Sequence, residues 1–379
     1  MAIYTRRSIA DVGDLGSGSL MDAIIEEIET MAAAGHTAAS NQVEILNGLS
    51  ENEVEAQMKQ LYIYSLPTFE HAKGIWGAID QIRARGSSFH EYGMYGVYGP
   101  GYHDPEQSYQ PWVKAYGGLG DRDQNGRYDN GYDFNSYGMV LGVDKAFGEL
   151  LVGLAGGYTG SSLSGDNGDE SDADTAYGML YGSYGTKEWF ADVVLSHGVI
   201  GMDNTSGTDF DVTSSADAAQ TTIYFGLGTE MLNPDDEGSL IKPLIGVQGS
   251  LYSQDGYKEK SSTSVARDIE SFDRWDCRSM LGAELTVPTY GAKIDFETQL
   301  RGYWIHEFND DDEVVDYTLI DSTQRGLFIM RGPEANLAQF GVGFAAKLEN
   351  GVKLTADIDG QWGKDYYSAV FSGALLYEF

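Results

Sequence analysis

Two hydrophobic periods divide the chain, and they change over between Gly86 and Gln110. Ahead of that stretch, Leu20, Ile24, Ile25, Ile28 and Met31 recur at helical spacing with acidic residues between them. Ser50 followed by Glu53 has the pattern of a capping box and predicts a helix through about Tyr64. Pro67–Thr68 opens another, with Thr68 as N-cap and Gly86 as the stop. A helix over residues 68–85 would be about 27 Å long, close to the thickness of a bilayer core. Gly74 and Gly77 slim one side of it. A small soluble bundle would account for the same helices.

From Pro111 to the last residue the period is two. In Val352 to Gly363, Leu354, Ala356, Ile358, Gly360 and Trp362 share one face, and Lys353, Thr355, Asp357, Asp359 and Gln361 the other. In Ile294 to Phe308 the apolar face is Ile294, Phe296, Leu300, Gly302 and Trp304, opposite Asp295, Glu297, Gln299, Arg301 and Tyr303. Phe340, Val342 and Phe344, Leu150, Val152 and Leu154, and Ile223, Phe225 and Leu227 alternate in the same way.

A soluble sandwich also alternates. These runs, however, reach about ten residues or more, where soluble strands average about 5–6 and a tilted membrane-spanning strand needs about 9–11. The pattern predicts about twelve strands, beginning near Pro111, Asn135, Glu149, Thr175, Glu188, Ala219, Leu240, Asp276, Ala292, Asn336, Gly351 and Tyr366. Between them, long polar connections (Asp121–Asp133, Gly160–Asp174, Asp203–Ala218, Gln254–Asp273 and Asn309–Glu334) alternate with tight turns. The expected fold is therefore an all-β membrane barrel of antiparallel strands over 111–379, with the long loops on the outer side.

Composition narrows the partners. Lys+Arg 24 against Asp+Glu 58 leaves a formal charge of −34, which repels phosphate backbones and excludes a nucleic-acid partner. Gly 49 and Tyr 25 fit many closely packed strands. Cys277 is the only cysteine, so no intramolecular disulfide or multi-cysteine metal site is available. The acidic runs Asp166–Glu170 and Asp310–Glu313 lack EF-hand spacing, and no histidine pair has metal-ligand spacing, so neither metal nor cofactor is expected. No run approaches the ~20 apolar residues of a spanning helix, and Arg6 and Arg7 have no apolar run behind them. The sequence is thus expected to be a piece of a longer exported chain.

Trp112-Val113-Lys114-Ala115-Tyr116-Gly117-Gly118, an Asp/Gly-rich loop, and then Tyr137-Gly138-Met139-Val140-Leu141-Gly142-Val143-Asp144 resemble the opening of an autotransporter β-domain. Leu154-Ala155-Gly156-Gly157-Tyr158, Arg301-Gly302-Tyr303-Trp304-Ile305-His306-Glu307-Phe308 and the ending Ser372 to Phe379 are similar to later strands of that family. The resemblance covers about Ser50 to Phe379. It implies a twelve-stranded barrel in the outer membrane of a Gram-negative-type bacterium, with an α-helix in its lumen leading to an exported N-terminal passenger. Thr68 to Arg85 would be that plug helix, residues 50–110 linker and plug, and residues 1–49 a helical linker or passenger remnant. The alternating Phe371, Gly373, Leu375, Tyr377 and terminal Phe379 would be the signal read by the barrel-assembly machinery. Outer-membrane lipid and the chain's own passenger are the expected partners of a monomer.

For the lumen, polarity suggests that Asp80, Gln81, Arg83 and Arg85 of the plug meet inward Asp295, Glu297, Gln299, Arg301, Asp357 and Asp359. No catalytic residue is singled out. Gly16-Ser17-Gly18-Ser19-Leu20 superficially resembles an exported-esterase motif but lacks its aspartate, and His197 and His306 fall on apolar strand faces. The competing readings are a stand-alone porin or adhesin-like barrel plugged by its N-terminal helix, and a barrel-embedded hydrolase.

Overall fold

The computed structural model describes residues 17–62, 65–83, 109–124, 131–186, 189–207, 209–232, 239–289, 294–348 and 352–377. The period-two segment forms twelve long strands: β1 (Gln110–Arg122), β2 (Tyr132–Phe147), β3 (Leu150–Gly165), β4 (Glu170–Gly185), β5 (Phe190–Thr205), β6 (Thr213–Gly228), β7 (Leu240–Gln254), β8 (Phe272–Thr289), β9 (Ile294–Glu307), β10 (Asn336–Leu348), β11 (Val352–Trp362) and β12 (Tyr366–Tyr377). Each pairs antiparallel with the next, and β12 returns to β1 from Trp112↔Leu376 to Arg122↔Tyr366. The sheet closes on itself, which leaves no open edge along the hydrocarbon.

Its outer face carries Ile223, Phe225, Val247, Leu251, Phe340 and Phe344, all among the exposed large hydrophobics, while the alternate residues are buried inside. In water such side chains would each forgo about 1.5–3 kcal/mol of burial; against hydrocarbon they do not. Trp275, Trp304, Trp362 and Tyr367 lie on the same outer face. His306 stands between the rings of Trp304 and Phe308, as a girdle histidine would. No described helix is long and apolar enough to cross a membrane; the crossing is made by strands.

The strands outrun the sequence pattern on the outer side. β2 to β6 have 16 residues each, where about 9–11 would cross the hydrocarbon. Residues 160–174, expected as a long loop, are mostly strand: β3 runs to Gly165, β4 starts at Glu170, and Gly168 turns between them with φ +87°. Here the outward positions meet water instead of hydrocarbon and inward ones such as Ser161 and Ser171 are buried but polar, so Ser162, Ser164 and Asp172 carry no apolar alternation to read.

Two connections expected as loops fold into a second sheet over the barrel mouth. Tyr257–Lys258, Arg267–Ile269, Glu313–Leu319 and Arg325–Met330 pair antiparallel in that spatial order. The N-terminal helices dock on it: α1 (Ser17–Ala33), α2 (Thr37–Leu46) and α3 (Glu51–Tyr62). Gly35, at φ +91°, ends α1, with the His36 N–H bonded to Met31 O at 3.0 Å. Ser50 opens α3 with its N–H and hydroxyl on the Glu53 carboxylate, at 2.8 and 2.6 Å. Ile24, Ile28, Met58 and Tyr62 share one apolar core with Val315, Tyr317, Leu319, Phe328 and Met330. Gln42 and Tyr62 bond the two ends of Val265, at 2.9 Å to its N–H and 2.8 Å to its carbonyl. This composite cap joins the lumen to the outside.

Candidate functional site

Below the cap the chain enters the barrel. Glu70 N–H reaches Pro67 O at 2.8 Å, so residues Thr68–Ala72 form a 3₁₀ turn, and the α-helix (α4) occupies 73–83. The helix therefore begins five residues later than expected, and Thr68 does not cap it: its hydroxyl donates to Gln254 Oε1 at 2.8 Å. Arg85 lies outside the described residues.

One stripe of α4 is apolar at i, i+3, i+4 and i+7: Ile75, Ala78, Ile79 and Ile82, each no more than 2% exposed. It packs on an aromatic wall built by β1 to β6 from Trp112, Tyr116, Tyr177, Tyr181 and Tyr224, with Val140, Met179 and Val194. The hydroxyls of that wall satisfy one another. Tyr116 and Tyr177 are 2.8 Å apart, Trp112 Nε1 donates to Tyr181 at 2.8 Å, and Tyr181 donates to Asp144 at 2.8 Å. Gly198 on β5 gives Ile75 its seat: a Cβ there would meet Ile75 Cδ1 at 2.6 Å. Gly198→Val should thus displace α4, and single-channel recording in planar bilayers should detect a rise of severalfold in open conductance. An unchanged trace would mean that this seat does not hold the plug.

The opposite side of the lumen is charged. Arg301 on β9 spans β10 to bind Asp357 at 3.0 Å and Asp359 at 2.9 Å on β11, and Lys114 adds a 3.1 Å contact to Asp357. Gly341 and Gly343 on β10 clear that route; a Cβ on Gly341 would stand 2.9 Å from Arg301 Nε and 2.0 Å from Asp359 Oδ1. Gln299 donates to Glu284 at 3.3 Å, and Tyr303 donates to the same carboxylate.

Polarity alone had suggested Asp357 and Asp359 as partners of Arg83, but the described contacts place it elsewhere. It pairs with Asp80 at 2.8 Å and lies over the rings of Tyr224 and Tyr303. Strands fixed in one sheet present Arg301 to Asp357 and Asp359 in register, so those anions are already answered. Gln81 is buried and lines, with Asp80 and Arg83, a small cavity of about 30 Å³ against Lys114, Arg301, Gln339, Asp357 and Asp359. Glu297 is half-buried on β9; of Asp295 only the strand position is described. Phe371 and Leu375 point outward on β12 on either side of Gly373, Tyr377 ends that strand, and Phe379 lies outside the described residues. Sequence reading missed Lys114, Glu284 and the aromatic wall, although Trp112, Lys114 and Tyr116 share one strand face.

At the outer mouth the threaded segment is held side chain by side chain. His71, fully buried, bonds Ser161 at 2.7 Å and Ser171 at 2.9 Å through its two ring nitrogens. Arg274 stacks on Phe69 and Arg278 on Trp76, each 4.5 Å from the ring. Lys73 pairs with Glu70 and lies over Tyr366.

The fold has known counterparts. The chain is 24% identical over 290 residues to Esterase EstA of Pseudomonas aeruginosa, covering 72% of this chain and 44% of that protein. It thus spans less than half the length of that relative. Among solved structures, the translocator domain of autotransporter NalP from Neisseria meningitidis superposes with a TM-score of 0.62 at 14% identity, covering 83% of this chain and 100% of that one. The β-domain of the Bordetella autotransporter BrkA gives 0.54 at 17% identity, covering 72% and 100%. The family model "Autotransporter beta-domain" matches residues 111–359, well over half of the chain, and the protein accordingly belongs to the autotransporter β-domain family, an outer-membrane translocator barrel.

Proposed function

We propose that this barrel carries polypeptide attached ahead of Ser17 to the cell surface and keeps it there through the cap. One observation supports the reading above the others: helices of 17–62 pack outside the barrel, residues 65–72 lie in its mouth, and α4 follows within the lumen. A barrel plugged only from the periplasm would have no use for such a route.

Residues 1–49 would serve as linker or passenger remnant, 50–110 as linker and plug, and 111–379 as the translocator. The residues Phe371 and Leu375, with Tyr377 and the terminal Phe379, would form the signal for the barrel-assembly machinery. A sheet closed by β1 and β12 favours a monomer, since no strand edge is offered to a second copy. Any catalysis would reside in the exported part. His71, the described histidine bonded to serines, is buried beneath the cap and meets no substrate.

An epitope placed ahead of Ser17, in a chain given a signal peptide, should be cut by protease added to intact cells. Protection of the epitope until the cells are permeabilised would favour the porin-like alternative and sink the export reading.

A further inference from the structure

The ion pairs of the threaded segment fix no position along the barrel. Lys73 pairs with Glu70 and Arg83 with Asp80, each three residues away in the same segment, so both pairs would travel with it. The apolar stripe of α4 decides in one direction only. Drawn outward by one turn of three residues, about 4.5 Å, the helix would bring polar Gln81 to the seat of Ala78. Drawn inward by the same step, it would set Ala72, Ile75, Trp76 and Ile79 where Ile75, Ala78, Ile79 and Ile82 now lie. Every seat would still hold an apolar side chain. Apart from the bulk of Trp76, burial therefore does little to oppose an inward slip.

Most polar partners of the segment could follow such a movement part of the way. Phe69 and Trp76 are met by the long side chains of Arg274 and Arg278, and Thr68 by Gln254. His71 is held differently. Its ring is fully buried, with Nδ1 on Ser161 of β3 and Nε2 on Ser171 of β4. Ser171 donates onward to Asn204 Oδ1 on β5 at 2.6 Å, so it accepts from Nε2–H, while Ser161 donates to Nδ1. A serine hydroxyl lies one bond beyond Cβ, and neither can pursue a departing ring. One turn further in, Gly74 clears Thr159 of β3: a Cβ there would meet Thr159 Cγ2 at 2.8 Å. An inward slip would put His71 in that place and leave two buried serines without the ring.

We propose that His71 is a register latch: the serine pair on β3 and β4, with the step at Thr159, holds the threaded segment at one position and bars its slip toward the periplasm. The latch sets where the segment rests, whichever way it entered. With His71 seated, Thr68 reaches Gln254 and the Ser65 N–H reaches Ile329 O of the cap at 3.2 Å. A slip of one turn would carry both out of reach and part the cap from the lumen.

A diazirine amino acid at Met179, on the wall that seats α4, reads the register in the full chain purified from outer membranes. Adducts are mapped to the plug residue captured and counted per folded barrel, scored by its heat-resistant gel band. His71→Gly, which removes the ring and its bulk, should move the captured residue three positions toward the N-terminus. The ratio of that adduct to the parental one should rise at least about tenfold, as two lost buried hydrogen bonds imply. His71→Gln, with a donor and an acceptor on one amide, should keep the parental position. Ala72→Gly, which adds the same backbone freedom and spares the ring, should keep it too. Should His71→Gly give no heat-resistant band, His71→Ala with Thr159→Ala drops the bonds and opens the step from the barrel side, and the same shift is expected. Adducts that stay at the parental residue in folded barrels of His71→Gly, or of that double variant, overturn the latch. So does a shift in Ala72→Gly as large as that in His71→Gly.

Discussion

Arg301→Ala should lower the unfolding temperature of the barrel by roughly 6–12 °C, read as loss of the heat-resistant gel band at a fixed heating rate. Arg301 is 8% exposed and holds Asp357 and Asp359, themselves 12% and 22% exposed. Removing one partner of a buried ion pair costs about 3–5 kcal/mol, chiefly because the other charge stays behind without a counterion. The open, polar cavity beside the cluster places the loss near the lower end, and about 3 kcal/mol corresponds to several degrees for a domain of this size. Asp357 would keep Lys114, whereas Asp359 would be left facing like charge, with Asp80 near. Arg301→Lys should recover little, since a single ammonium cannot fork between two carboxylates. Adding Asp359→Asn to Arg301→Ala should recover at least half of the loss, since Asp357 stays paired with Lys114. Gly341→Ala, which sets a methyl 2.0 Å from Asp359 Oδ1, should move stability the same way with every charge intact. An Arg301→Ala barrel as heat-resistant as the parent would show that the cluster contributes nothing to holding β9, β10 and β11 together.

The barrel was largely legible because its solvent reverses along each strand. Leu354, Ile358 and Trp362 face outward and Asp357 and Asp359 inward, as the alternation required, and β7, β10 and β12 begin at the expected Leu240, Asn336 and Tyr366. Where the outward face meets water and the buried inward face is lined by serines, that signal vanishes, so the outer halves of β3 and β4 read as loop. The cap was illegible for another reason. Its strands are short, Tyr257–Lys258 and Arg267–Ile269 among them, and gain their apolar face only when helices more than 200 positions away are laid upon it. Inside the lumen, polarity indicated which residues point inward but not which of them pair. Arg83 took Asp80 within its own helix, and Arg301 took the strand carboxylates, because the shortest rigid routes were already laid by the helix turn and by glycines across β10.

Ile28→Ala in α1 should make the cap open to protease on intact cells at least about thirty times more readily. Ile28 is 1% exposed within the core that α1 and α3 share with Val315, Tyr317, Phe328 and Met330. Truncating a buried isoleucine costs about 2–5 kcal/mol, and every 1.4 kcal/mol is tenfold in the open population. When closing outpaces cleavage, protease reads that population directly. Cuts should therefore gather in 255–271 and 308–335, the loop segments that the helices cover, while the barrel keeps its heat-resistant band. Polar links should report the same opening more weakly: Gln42→Leu removes the bond from Val265 N–H and the contact to Tyr62, and leaves that buried N–H unanswered. Deleting residues 17–62 sets the upper limit, since the apolar side of the sheet would then face water outright. Should Ile28→Ala be cut no faster than the parent, the helices merely rest on the loops. The energy that holds the exported end outside would then have to come from the lumen, where α4 is seated on its aromatic wall.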